Sequence, residues 1–372
     1  MRIGIMLRHM GQHPGGVLVY TRGLLAKMLA LESEHEFVLM YRDPAFLGTY
    51  GDRERVREIV LAAPSVLLWD QVAVPRAARR EGIDVLFNTK YSIPLRTASR
   101  TVFVCHGLDW FVAPEWSRWF DRLSHRFLIP RYARKSDSII AVSETTRRHV
   151  IEYLDVEEAR VTTIYHGVDE MFRREVGAGE IAGVRRRYGL PEHFYLYSGQ
   201  IYPPKNFGRL VRAFEQLGPD NELSLVVAGG HTWLSEEEIS LVDRLELGRR
   251  VLRLGWVERE DLPAIYASAE ALVMPSLYES FGLPLLEAMC VGCPVVTSNR
   301  AGMKEIVGGA GLLVDPEDVD SIADGMRRIV EDASLRGDLV SRGRERTKAF
   351  SWKKCARETL VALEAASGSA AG

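Results

Sequence analysis

Residues 271–297 read ALVMPSLYESFGLPLLEAMCVGCPVVT, and this stretch decides the fold. An apolar run ends at Met274-Pro275, a loop carries Glu279 and Gly282, a helix opens near Pro284, and a second apolar run begins at Val295. Strand, loop, helix, strand is the repeating unit of a parallel sheet buried on both faces. The alternation continues in both directions. Before the midpoint, strands are expected at residues 2–7, 36–40, 84–88, 101–106, 138–142 and 161–165, with a helix at 19–31; after it, at 194–198, 223–228, 251–254, 271–274, 295–297 and 312–314. The class is α/β, and two sheets suit so many strands better than one, because open sheets seldom exceed about ten. Residues 167–191, rich in Arg, Glu and Gly and poor in apolar periodicity, are the expected linker. The expected domains are 1–170 and 171–350, followed by a helix at 351–364 and a disordered tail of small residues at 365–372.

Composition narrows the class of function. With 372 residues, 47% hydrophobic and 26% charged, the chain is neither disordered, collagen-like nor a coiled coil. Lys and Arg (48) nearly balance Asp and Glu (50), so no global field draws it to nucleic acid, and no nucleic-acid partner is expected. Cys105, Cys290, Cys293 and Cys355 are too few and too unevenly spaced for a disulfide framework, which favours a reducing, cytoplasmic compartment. The apolar run at residues 3–7 is broken by Arg8 and His9, too short for a signal-peptide core or a spanning helix. Cytoplasmic localisation is expected, at most at the inner face of the membrane.

The loop at 275–283 carries the chemistry. Gly282 lets the backbone approach a ligand, and the free N–H groups where the helix starts suit a phosphate oxygen. Glu279 and Glu287 flank that anion site, and carboxylates accept hydrogen bonds from ribose and sugar hydroxyls, which is the layout of a nucleotide sugar. The plainer alternative makes Glu279 a solvated loop residue and Glu287 a partner of the helix dipole.

The sequence Glu279-Ser-Phe-Gly-Leu-Pro-Leu-Leu-Glu287 resembles the E-x7-E motif of family 4 glycosyltransferases, retaining enzymes of the GT-B fold. Further similarity follows in order at GQHPGGVLVYTRGL, VSETTRRHVIEYL, YHGVD, GQIYPPKNFGRLVRAF, LGWV and GLLVDP. The resemblance implies two Rossmann-like domains facing across a cleft, with the acceptor on the N-terminal domain, the donor on the C-terminal one, and the helix at 351–364 crossing back. It implies Glu279 on donor-sugar hydroxyls, Glu287 on the ribose, and the backbone amides of Phe281, Gly282 and Leu283 on the diphosphate. Lys205 matches the family's phosphate-binding lysine, Gly16 a donor-contacting loop, and His106 a histidine near the reacting sugar. Catalytic roles are thus implied for His106, Lys205 and Glu279. The chain departs from the family at two places. Gln200 and Pro204 stand where many relatives have an arginine, leaving open whether another basic residue replaces it, and His106-Gly107-Leu108-Asp109 replaces the usual His-Asp pair.

The implied activity is retaining, metal-independent transfer of a hexosyl group, mannose or glucose, from a GDP-mannose or UDP-glucose class donor to an unidentified acceptor hydroxyl, in polysaccharide or glycoconjugate synthesis. No cofactor is implied. The alternatives are an epimerase or phosphorylase on the same scaffold, or a non-catalytic nucleotide-binding module.

Other motifs have simpler readings. Ser143 is a helix cap candidate, His166-Gly167-Val168-Asp169 the turn leaving the first domain, and Asp318-Val-Asp320 a capping turn before a helix rather than a metal site. Cys290 and Cys293 lack the second pair a structural zinc site needs. Trp116 to Lys135 mixes aromatic and basic residues and is interrupted by Pro130; a solvated helix face is the simpler reading, with peripheral membrane contact as the alternative.

Overall fold

The computed structural model describes the chain except for residues 11–14, 117–118, 220, 232–234 and 369–372, and the side chains of 119–124. Pro14, the terminal tetrapeptide and part of the aromatic and basic stretch therefore lie outside the described residues. The chain divides into two compact units, Met1–Gly167 with Ser351–Gly372, and Val168–Phe350.

Each unit is built on a parallel sheet. The first contains β1 (Arg2–Met6), β2 (Glu36–Tyr41), β3 (Val56–Val60), β4 (Val85–Asn88), β5 (Arg100–Cys105), β6 (Ser138–Ala141) and β7 (Val161–Thr163), in the order β3-β2-β1-β4-β5-β6-β7. The second contains β8 (Phe194–Ser198), β9 (Ser224–Ala228), β10 (Val251–Gly255), β11 (Ala271–Met274), β12 (Val295–Ser298) and β13 (Leu312–Val314), in the order β10-β9-β8-β11-β12-β13. Strands such as β4, β8, β11 and β12 are buried along their whole length, which explains their uninterrupted apolar runs. In both sheets the chain winds outward, then returns to the other side of its first strand. Strand order therefore reverses between β1 and β4 and between β8 and β11, and such sheets bind ligands in the crevice at that reversal, beyond the carboxyl ends of the strands.

The structure differs from the sequence reading in four places. Strand β3 was not expected: it is a half-buried edge strand pairing only with β2, and Arg57 and Glu58 break its apolar run. The expected linker holds a helix, Ala178–Tyr188, with only Val184 buried, so apolar periodicity could not reveal it. That helix is fixed at its ends, where the Gly177 N–H donates to Glu180 at 3.1 Å and Gly189 turns left-handed at φ 61°. The helix Trp119–Lys135 runs through Pro130 without interruption, and the buried Ile129, Tyr132 and Ala133 hold it there. The last helix, Trp352–Ser367, continues through Ala365 and Ala366, strong helix formers, to a left-handed Gly368, where disorder was expected from residue 365.

That helix belongs to the first unit, where it packs on the helix Gly16–Met28. Trp352 is the anchor. Its ring lies so close to Gly23 that a Cβ there would be 2.6 Å from Cδ2, and a Cβ on Gly167 would be 2.6 Å from the Cα of Trp352. Tyr20 and His166 surround the same indole, each with ring centroids 6.0 Å away. Trp352→Ala is expected to cost about 3–5 kcal/mol, read as a lower urea midpoint. An unchanged midpoint would show that the helix is not anchored here.

Candidate active site

At the reversal in the second sheet, the loops after β8 and β11 are tied together. Strand β8 ends at Ser198, Gly199 follows at φ 138°, and Pro203–Lys205 forms a 3₁₀ turn. Asn206 then adopts the left-handed conformation, φ 59°, and its buried amide nitrogen donates to the carbonyls of Pro275 (2.8 Å) and Pro316 (2.7 Å). Leu277 N–H donates to Pro204 O at 2.8 Å. These bonds bring the Lys205 ammonium onto the Glu279 carboxylate in a largely buried ion pair. Ser276 Oγ adds a long hydrogen bond to the same carboxylate oxygen, at 3.4 Å.

Past Glu279, Gly282 caps the helix Leu283–Val291 at φ 95°, a conformation that favours glycine, and Pro284 occupies the first turn. Phe281 and Leu283 are buried on either side. A residue not anticipated from sequence fixes this loop: Gly302 N–H donates to Glu279 O at 3.0 Å, and a Cβ at 302 would be 2.6 Å from Ser280 O. The preceding Ala301 is held at φ 48°, which costs about 1 kcal/mol for a residue with a Cβ.

Glu287 is buried on the inward face of the same helix. Arg259 donates to its Oε1 at 3.0 Å and Tyr266 to its Oε2 at 3.2 Å, and the Tyr266 oxygen also lies 3.0 Å from Ser198 Oγ. Arg259 reaches back to Asp169 at 2.6 Å, its guanidinium 5.3 Å from the Phe172 ring. Burial pushes the Glu287 carboxyl up, and the Arg259 guanidinium opposes that rise. Arg259, Tyr266, Asn206 and Gly302 were all missed in the sequence. The motif LGWV ends two residues before Arg259, but the contact with Glu287 links positions 28 residues apart. Arg259 serves Glu287 and Asp169, whereas Lys205 serves Glu279.

Two candidate residues lie in the first unit. His106 directly follows β5, and its Nε2 lies 2.8 Å from Thr89 O; since a carbonyl only accepts, Nε2 carries the proton. Burial pulls its pKa down to about 4, so the ring is neutral at pH 7. Asp109 opens the short helix Asp109–Val112. Gly16 opens the helix Gly16–Met28; it is exposed, and a Cβ there would meet nothing within 4 Å, so packing does not require glycine. Of the simpler motifs, Ser143 caps its helix by accepting from Thr146 N–H at 3.1 Å, and Asp318 accepts from Asp320 N–H at 2.9 Å.

Comparison with known proteins places the chain in a family. Residues 14–172 match the family described as Glycosyltransferase Family 4, and residues 185–346 that described as Glycosyl transferases group 1. The chain is 33% identical over 363 residues to O-antigen chain mannosyltransferase B of Escherichia coli, covering 91% of this chain and 93% of that one. It is 30% identical over 266 residues to the serotype-specific mannosyltransferase WbdA of Escherichia coli, covering 69% of this chain and 32% of that longer one. The crystal structure of HepE from Anabaena in complex with UDP-glucose superposes with a TM-score of 0.78 at 20% identity, covering 98% of this chain and all of that one, a likeness of fold. The chain belongs to the family 4 glycosyltransferases. It has the GT-B fold, and its activity is glycosyl transfer.

Two outcomes follow for stability. Arg259→Gln leaves the buried Glu287 without its cation and is expected to cost about 2–3 kcal/mol in urea unfolding, less than for a fully buried pair because Arg259 is itself partly exposed. The second concerns acid. Burial lowers His106 to about 4, His9 to about 3 and His166 well below its ordinary 6.5, so between those values and 6.5 the unfolded chain binds more protons. Stability is therefore complete above 6.5 and falls with pH, by about 2 kcal/mol between pH 7 and 5 for each of His106 and His9, with His166 acting in the same direction. The urea midpoint should drop over that interval and drop less in His9→Gln; a flat midpoint would rule this out.

Proposed function

We propose that the protein is a retaining, metal-independent hexosyltransferase that uses a nucleotide diphosphate sugar, with the donor held by the second unit and the acceptor by the first. The observation that carries this reading is the buried Lys205–Glu279 pair beside the helix start at Gly282, at the sheet's strand-order reversal. Lys205 has three donors and Glu279 engages one, which leaves two for the donor's phosphate oxygens. Lys205 is then the cation that stabilises the charge growing on the leaving diphosphate, the task a divalent ion performs in metal-dependent transferases. The amides of Phe281, Gly282 and Leu283 receive the remaining phosphate oxygens. Glu279 holds the hydroxyls of the sugar. Glu287 has one lone pair to spare on each oxygen beyond Arg259 and Tyr266, enough for the two ribose hydroxyls.

In the proposed reaction, the bond between the anomeric carbon and the phosphate oxygen breaks, the acceptor oxygen joins the same face, and the acceptor proton passes to the departing phosphate. His106, neutral and fixed by Thr89, hydrogen-bonds the reacting sugar. Gly16, whose glycine the packing leaves unexplained, suits backbone contact with the donor. The mannosyltransferase relatives favour mannose as the sugar and an O-antigen-like glycan as the product.

A thermal-shift screen against GDP, UDP and their sugars tests the site. One nucleotide series should raise the melting temperature of the wild type and not that of Glu287→Ala; an equal response of both removes Glu287 from the site. Lys205→Ala should lower kcat by about 10²–10³-fold, EDTA should leave activity unchanged, and the product's anomeric configuration by NMR should match the donor's. Inversion, or loss of activity with EDTA, would overturn the mechanism.

A further inference from the structure

The strand-order reversal of the first sheet gathers charges that the reading above does not use. Arg8 stands two residues beyond the end of β1 and Lys90 two beyond the end of β4. Between them, His9 Nε2 lies 2.9 Å from Thr89 Oγ1, and the same threonine's carbonyl binds His106. Lys90 lies close enough to Arg8, His9 and His106 for its charge to act on all three, and its ammonium is 5.5 Å from the Tyr91 ring centroid.

The charges do not cancel. Arg8 meets the buried Asp70 at 3.2 Å and reaches Ser92 Oγ at 3.4 Å. Among the described residues, Lys90 has no carboxylate within 4 Å: Asp70 pairs with Arg8, and Asp109 acts on Tyr91. Among the described residues, Asp70 balances Arg8, and the half-buried Lys90 adds a positive charge that no carboxylate within 4 Å meets. Burial and then Arg8 pull the Lys90 pKa down, because each disfavours the charged ammonium. A lysine held only for packing would be matched, as Arg8 is, or would extend into water.

We propose that Lys90, backed by Arg8, forms an oxyanion subsite on the first unit that binds a phosphoryl group of the acceptor. The word acceptor rests on the function proposed above; the anion subsite rests on the placement of Lys90 and Arg8 just beyond the paired strands β1 and β4. A phosphoryl group fits better than a carboxylate because its three acceptor oxygens can engage the three donors of the Lys90 ammonium and still reach Arg8, whose own charge Asp70 already balances. Sugar phosphates and lipid-linked sugar diphosphates share this chemistry. Lys90 binds the phosphoryl group beyond the ends of β1 and β4, and the sugar attached to it is carried toward His106.

The test follows Lys90 directly. Reductively ¹³C-methylated protein, with the Lys90 signal assigned from Lys90→Arg, is titrated with mannose 1-phosphate, methyl mannoside, glucuronate and a short prenyl diphosphate mannose. Saturating GDP or UDP fills any diphosphate site on the second unit. The Lys90 signal should move with mannose 1-phosphate, which should bind at least about tenfold tighter than methyl mannoside; Lys90→Gln should lose that margin and Lys90→Arg keep it within about threefold. Tighter binding of the prenyl compound supports a lipid-linked source, and equal binding a soluble one. A Lys90 signal unmoved by about 10 mM mannose 1-phosphate, or equal affinity in Lys90→Gln, overturns the subsite, and a response to glucuronate alone overturns its phosphoryl assignment. The nucleotide-induced melting shift should be the same in Lys90→Gln and wild type. Its absence from wild type defeats the donor assignment and leaves the Lys90 result to be judged on its own.

Discussion

One buried amide organises the second unit's chemistry. Asn206 holds the carbonyls that follow β11 and β13, and it can do so because its own backbone is left-handed and directs the chain between those loops. An apolar residue at this position would strand two buried carbonyls, each at a cost of about 1–3 kcal/mol. The position of Lys205, one residue earlier, and that of Glu279, on the loop so fastened, both derive from this bond pair. The glycine cap at 282 and the clamp at Gly302 then set the backbone between the two glutamates.

The two carboxylates are prepared differently. Glu279 is balanced by a lysine, a flexible point charge that can share its donors with an incoming anion. Glu287 is balanced by an arginine already engaged with Asp169, and by a tyrosine hydroxyl, so its orientation is set before any ligand arrives. One carboxylate is arranged to adjust and the other to stay fixed, which suits contact with a reacting sugar and with a spectator ribose respectively.

The α/β class, both sheets and the strand–loop–helix around Glu279 were legible in the sequence because buried parallel strands are written as apolar runs. Elements lacking such runs were not: β3 lies at an edge and tolerates Arg57 and Glu58, and the helix Ala178–Tyr188 buries a single residue. Lys205, Gly282 and the two glutamates could be picked out through their motif. Arg259, Tyr266 and Gly302 could not, because each acts through a contact between segments distant in the chain, and no local spacing records it. Lys90 was invisible for a related reason: only the fold reveals that, among the described residues, no carboxylate lies within 4 Å of it.

The close approach of Gly167 to Trp352 carries a topological consequence. Residues 168–350 leave the first unit and rejoin it at a single spot, so the second unit is one continuous insertion whose two ends are neighbours. A short peptide bridge across that gap would close the first unit into an uninterrupted chain. The architecture is thus that of a cassette in a host: one unit is written as a single uninterrupted segment, the other as two segments on either side of it.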